Sequence, residues 1–133
     1  MATRSRIALQ LTEDSFLSVY HHWDGYPQWL GVVLNKKFNT REKVAELLDG
    51  GDISCIESDN NWKREKVENH VLYYNARGED TEPRLDLTIE DYLENGEEYA
   101  YVYTLDHQWE CYDLHKGVKK VEIPVQHPSE LST

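Results

Sequence analysis

The strongest constraint on the fold of this chain is an alternation of apolar with polar or small residues near its start. The alternation runs over residues 6–11, is interrupted by turn-forming residues at 12–15, and resumes over residues 17–23. A period of two residues is typical of strands with one buried face. The sequence therefore predicts an N-terminal β-hairpin. Its apolar face is formed by Ile7, Leu9, Leu11, Leu17 and Val19.

Helical spacing replaces the alternation after Pro27, a residue suited to the first turn of a helix. Thr40 is a plausible N-cap for a second helix, which Gly50 and Gly51 should end. Two helices joined this closely are expected to form an αα-hairpin that packs on the sheet. Their apolar positions are Leu30, Val33, Leu34, Phe38, Val44, Leu47 and Leu48.

The second half of the chain returns to β structure. Short strands are predicted at 53–56 and, more weakly, at 71–74, with a polar loop at 59–68 between them. Thr88 could cap a short acidic helix that carries Ile89, Tyr92 and Leu93. A three-stranded meander is predicted over residues 99–103, 109–114 and 118–123.

These patterns together indicate an α+β fold. We expect a mainly antiparallel sheet, made of the N-terminal hairpin and the C-terminal meander, with the αα-hairpin packed on one face. The chain of 133 residues fits one domain over residues 1–123, followed by a flexible tail at 124–133. The predicted core consists of Ile7, Leu9, Leu17, Val19, Leu30, Val33, Leu34, Val44, Leu47, Trp109 and Leu114.

Composition narrows the class of protein. No apolar run approaches the roughly 20 residues of a membrane span, and the first residues do not resemble a signal peptide. Cys55 and Cys111 lie in separate predicted strands without metal-ligand spacing, so we expect reduced thiols that fill the core rather than a disulfide. We therefore expect a cytoplasmic protein with no membrane partner.

Net charge is −11, and most of the excess lies in one segment. Residues 79–98 carry nine acids and one base, a local charge of −8. Such a balance argues against nucleic-acid binding, which needs a basic surface. The acidic stretch is most often a solvated helix with loops, but it could form a docking face for a basic partner, centred on Glu90, Asp91 and Glu94.

The most distinctive segment is His-His-Trp-Asp-Gly-Tyr-Pro at residues 21–27. Alternation places His21 and Trp23 on the face of Leu17 and Val19, and His22 on the opposite face. Two imidazoles and a carboxylate could bind a metal, or a histidine could act as a general base, but neighbouring strand residues point apart. We therefore assign no catalytic residue, metal ligand or cofactor to the segment.

A structural interpretation of the same segment is favoured. Asp24 would cap the following helix, Gly25 would supply a positive φ, and Trp23 and Tyr26 would pack the turn against the core. The remaining alternative is a recognition site, since tryptophan and tyrosine often anchor interfaces. It would comprise His22, Trp23, Asp24, Gly25, Tyr26 and Pro27.

Several of these residues also carry a resemblance to a known family. Residues 3–7 (Thr-Arg-Ser-Arg-Ile), the pattern Ser-Val-Tyr-x-His-Trp-Asp-Gly-Tyr-Pro at 18–27, and Gly31 resemble a family of small, mostly uncharacterised proteins of tailed phages. The family usually has an apolar, small or basic residue where this chain has His21, so His22 is the histidine that fits it. The resemblance implies an origin in a phage or prophage and no established activity.

Other motifs add little. The sequence contains no phosphate-binding glycine loop, serine nucleophile elbow or Cys-x-x-Cys. Tyr99, Tyr101 and Tyr103 could form a stacking platform, but a solvent-facing stripe or a second core face is the favoured interpretation. We expect a small acidic phage-type protein that binds a host protein without catalysis and modulates a host macromolecule during infection. The alternative is a protein that binds or sequesters a small ligand or nucleotide, or a small hydrolase that uses His22, Asp24 and Tyr26.

Overall fold

The computed structural model describes residues 3–56, 71–79, 81–94 and 96–124. Its eight strands are β1 (Ser5–Thr12), β2 (Ser15–His21), β3 (Ile53–Ile56), β4 (Val71–Tyr73), β5 (Arg84–Asp86), β6 (Tyr99–Tyr103), β7 (Trp109–Asp113) and β8 (Lys119–Val121). Its helical segments are a π-helical turn (Pro27–Gly31) that continues into α1 (Val32–Lys37), then α2 (Arg41–Asp49), a 3-10 turn (Tyr74–Arg77) and α3 (Ile89–Leu93).

All eight strands join one mixed, mostly antiparallel sheet in the order β4-β3-β2-β1-β6-β7-β8, with β5 paired to β2. The N-terminal hairpin, the C-terminal meander and the α+β class are confirmed. Two parallel contacts were not anticipated from the sequence. The pair β1/β6 joins the hairpin to the meander along five residues, and β2 meets β3 at His21 and Ile53.

The predicted αα-hairpin covers one face of the sheet. The first helix begins at Pro27 as expected, and the Thr40 side chain accepts a hydrogen bond from the Lys43 amide at 3.1 Å, which caps α2. Of the predicted core residues, Ile7, Leu9, Val19, Leu30, Val33, Leu34, Val44 and Leu47 are buried. The other three, Leu17, Trp109 and Leu114, are only partly buried.

The tyrosines of β6 belong to this core. Tyr101 and Tyr103 are buried beneath the helices, and Tyr99 packs at the edge of the same cluster. Their hydroxyl groups reach backbone carbonyls, Tyr101 donating to Gly25 at 2.7 Å and Tyr103 to Asn39 at 2.9 Å. The stripe is therefore a core face that ties the helices to the sheet, and not a stacking platform.

The short helix α3 covers part of the opposite face of the sheet. Thr88 caps it by accepting from the Asp91 amide at 2.9 Å, as predicted. Tyr92 is fully buried at the centre, where its hydroxyl lies 2.7 Å from the carbonyl oxygen of Tyr101 and 3.1 Å from that of Arg6. Tyr92 belongs to a second buried cluster on this face. Its other members are Ala8, Phe16, Ala100 and Val102.

Some expectations concern residues outside the described ranges. The predicted loop at 59–68 and all but the first residue of the predicted tail lie outside them. Cys111 is a free, buried thiol as expected, while the side chain of Cys55 lies outside the described residues. Within the described ranges, no helix is long and apolar enough to cross a membrane.

Candidate functional site

The segment 21–27 connects the end of β2 to the first helix, and its backbone is anchored on two sides. The amides of His22 and Trp23 donate to the carbonyls of Ile53 and Ser54 on β3, at 3.1 and 3.0 Å. On the other side the Gly25 amide donates to Thr3 at 2.8 Å. Since Tyr101 also donates to the Gly25 carbonyl, the turn is held by backbone contacts along its length.

His21 is a core residue. Its side chain is fully buried on the helix-covered face, as the alternation predicted, and its Nδ1 lies 3.4 Å from the Ser5 hydroxyl. Its Nε2 has no hydrogen-bond partner among the described residues. Burial, reinforced by the neighbouring His22, lowers the pKa of His21 to about 3, so the ring is neutral at physiological pH.

His22 lies on the opposite face, together with Tyr20. The Tyr20 hydroxyl lies 2.5 Å from Nδ1 of His22, and the His22 ring meets Trp23 edge-on with ring centroids 4.8 Å apart. Because the two histidines point apart, they cannot bind one ion together. Across the described ranges, no group of three or more potential ligands is arranged to hold a metal.

Trp23 does not pack against the core, so that part of the structural interpretation is wrong. The strand ends at His21, and the alternation of faces does not continue to Trp23, although its amide still donates to Ser54 of β3. Trp23 is 44% exposed, and Asp24 is also exposed. We define the turn surface as Tyr20, His22, Trp23 and Asp24.

The roles predicted for Asp24 and Gly25 are also corrected. Tyr26, not Asp24, occupies the N-cap position, and no side chain caps the π-helical turn. The positive φ lies at Asp24, at 56°, and not at Gly25. Gly25 is required for another reason: a Cβ there would lie 2.6 Å from the Ser5 hydroxyl oxygen and 2.7 Å from the Thr3 carbonyl. Pro27 begins the helical segment as predicted and is buried, whereas Tyr26 is partly buried.

The acidic stretch 79–98 is not one continuous negative face. Asp86 pairs with Arg84 at 3.1 Å, and Glu97 lies 3.9 Å from Arg4. Glu98 accepts from the Arg4 amide at 2.8 Å and pairs with His115 at 3.2 Å. The hydrogen bond from the Arg4 amide is the main cause of the lowered pKa of Glu98. The folded sheet therefore brings Arg4 next to Glu97 and Glu98, and His115 next to Glu98, although these acids have no basic neighbours in the sequence.

The exposed acids of α3 remain. Glu90, Asp91 and Glu94 are all exposed, and none forms an ion pair with another described residue. Glu90 and Asp91 lie in the first turn of the helix, where a carboxylate is favourable. The three carboxylates of the predicted acidic docking face are therefore exposed to solvent.

Two arginines that sequence reasoning did not select lie close to the turn surface. Arg6 is buried, and Arg84 stands opposite Ser18 in the β2/β5 pair. The alternation of β1 places Arg6 on the polar face, which sequence reasoning assigned to solvent. A buried arginine is detectable only once α3 is known to cover that face and β5 to extend the sheet beside β2.

Comparisons of the chain with known protein families, curated proteins and solved structures find no match.

Acid should destabilise the fold through His21. Its pKa is about 3 when folded against an ordinary 6.5, so only the unfolded chain takes up the proton as pH falls below 6.5. The free energy of unfolding should then fall by up to about 1.4 kcal/mol per pH unit. His21→Leu should remove this slope between pH 6.5 and 4.5, as measured by urea denaturation at each pH.

Val19→Ala is the matched control, since it lowers stability without removing a titrating group. The free energy of unfolding of Val19→Ala should be lower than that of the wild type by a constant amount over the same pH range. A wild-type slope that His21→Leu leaves unchanged would show that His21 is not the buried neutral group.

The turn should tolerate glycine at 24 and reject alanine at 25. Gly25→Ala forces a Cβ against Ser5 and Thr3, which should cost about 1–3 kcal/mol. Asp24→Gly should keep or slightly raise stability, because glycine adopts a positive φ without strain. Urea midpoints of the two variants test this, and a loss for Asp24→Gly as large as that for Gly25→Ala would contradict it.

Proposed function

We propose that this protein is a non-enzymatic binding protein that recognises a macromolecular partner through the turn surface. The resemblance of residues 3–31 to a tailed-phage family supports a phage origin. A host protein whose activity is modulated during infection, in the host cytoplasm, is then the proposed partner.

The observation that carries this proposal is the exposed indole of Trp23 on an anchored backbone. Its side chain is 44% exposed, yet the amides of His22, Trp23 and Gly25 are all bonded to the sheet or to Thr3. A large aromatic side chain on a preorganised turn loses little conformational entropy on binding. Tryptophan is also among the residues most enriched at interface hot spots.

Neighbouring polar groups give the indole an orientation. His22 contacts the indole edge-on and is itself bonded to the Tyr20 hydroxyl, so three side chains form a continuous row. An apolar centre with a polar rim is the usual arrangement of a protein–protein contact. The row therefore favours a folded protein surface as the partner.

The acids of α3 suit a steering role in this proposal. Glu90, Asp91 and Glu94 lie on the helix that covers the same face of the sheet as Tyr20 and His22. Exposed carboxylates of one sign raise the association rate of a basic partner and lose this effect as salt screens them. The proposed partner is a protein with a basic rim around an apolar pocket.

The test is partner capture from a bacterial host lysate, followed by binding kinetics with the captured protein. Trp23→Ala should weaken affinity by about 30-fold, the loss expected of a hot-spot tryptophan. Replacing Glu90, Asp91 and Glu94 by Gln, Asn and Gln should slow association and reduce its salt dependence, with little effect on dissociation.

Leu87→Ala is the matched control, because Leu87 is 64% exposed and lies outside the turn surface. It should bind like the wild type. Equal affinity of the wild type and Trp23→Ala for every captured protein would exclude the turn surface from recognition.

A further inference from the structure

Arg6 is a buried cation that forms no ion pair with another described residue. The residue is only 8% exposed, and its guanidinium donates from Nε to the Ser18 hydroxyl at 3.0 Å and from Nη2 to the Ser18 carbonyl at 3.2 Å. Neither acceptor is charged, and no carboxylate of the described ranges pairs with Arg6. Buried charges are normally paired, because the loss of hydration is costly.

Arg84 brings a second guanidinium to the same place. It stands opposite Ser18 in the antiparallel β2/β5 pair, so its side chain leaves the sheet on the face that carries Ser18. Its Nε donates to Asp86 at 3.1 Å, but its Nη2 is excluded from solvent and has no partner among the described residues. Arg6 is bonded to Ser18 and Arg84 stands opposite Ser18, so the two cations lie beside the same residue. Consistent with this placement, the positive charge of Arg84 adds to burial in lowering the pKa of Arg6.

The nearby carboxylates are engaged elsewhere. Asp52 accepts a hydrogen bond from the Tyr20 amide at 2.9 Å. This contact lies on the edge of β2 away from β1, between the residues that pair with β5 and the residue that pairs with β3. Glu97 pairs with Arg4 at 3.9 Å, and Asp86 binds Nε of Arg84. The negative charges of Asp52 and Glu97 partly offset the lowering of the Arg6 pKa, but neither forms an ion pair with Arg6.

We infer that Arg6 and Arg84 form a binding site for a phosphate-type oxyanion, bounded by Ser18 and Tyr20 on β2. The two guanidinium groups carry several N–H donors beside Ser18, and Nη2 of Arg84 is buried there without a partner among the described residues. Such a set suits the several oxygens of a phosphoryl group better than the two of a carboxylate. Access is from the side of Arg84, whose side chain is 41% exposed. The anion would relieve the repulsion between the cations and complete the hydrogen bonds of Arg84.

This site adjoins the turn surface at Tyr20, but it does not rest on the proposed partner recognition. It needs only the two arginines and the strands that carry them, whereas recognition rests on Trp23. Each can therefore fail without the other.

Titration of the full chain with inorganic phosphate tests the inference, with sodium chloride at matched ionic strength as the reference. Amide chemical shifts should change saturably at Ser18, Tyr20 and Arg84, and calorimetry should give a defined Kd. Arg84→Gln should weaken phosphate binding by about ten-fold or more, the loss expected for a charge-assisted hydrogen bond. Arg41→Gln is the charge-matched control, because Arg41 donates to Gln10 and Thr104 on the helix side, and it should bind phosphate like the wild type.

The shift changes in the wild type keep the inference testable if Arg84→Gln does not fold. A response that is not saturable, or that Arg84→Gln leaves unchanged, would overturn the site. Saturable binding of acetate at these amides without binding of phosphate would overturn the assignment to a phosphoryl group.

Discussion

Strand β1 pairs antiparallel with β2 along one edge and parallel with β6 along the other. The hairpin and the meander are far apart in the sequence, so this parallel contact makes them one sheet. Tyr92 strengthens it from one face through its contacts to the carbonyls of Arg6 and Tyr101. From the other face, Tyr101 reaches across to Gly25. The position of the turn and of Arg6 therefore depends on the β1/β6 pair.

Once the central strands are fixed, the alternation of β2 decides the role of each residue in the segment 21–27. His21 faces the helices and is buried as a neutral ring, while His22 faces the other side and contacts Tyr20. Gly25 is needed because the turn passes directly over Ser5. Trp23 lies beyond the end of the strand and is exposed. One short motif thus contains both core residues and an exposed surface, and it is this surface that we propose for recognition.

Local patterns predicted the features that depend on neighbours in the sequence. The caps Thr40 and Thr88, the helix start at Pro27 and the opposite faces of His21 and His22 follow from spacings of a few residues. The remainder depends on contacts between distant residues. Gly25 meets Ser5 because the turn folds back on β1, and Glu98 meets Arg4 because β6 lies beside β1. Arg6 could not be selected because its burial depends on elements more than 60 residues away, which no local pattern specifies.

Native-state hydrogen exchange tests the dependence on the β1/β6 pair most directly. If hairpin and meander form one cooperative sheet, the slowest amides of β1, β2 and β6 should exchange with the same free energy, equal to that of global unfolding. Added denaturant should lower the free energy of exchange of all these amides with the same slope. Exchange of the β6–β8 amides at a clearly lower free energy than those of β1 and β2 would show a meander that opens by itself. That result would contradict the account, because neither the turn nor the arginine site would then have a fixed support.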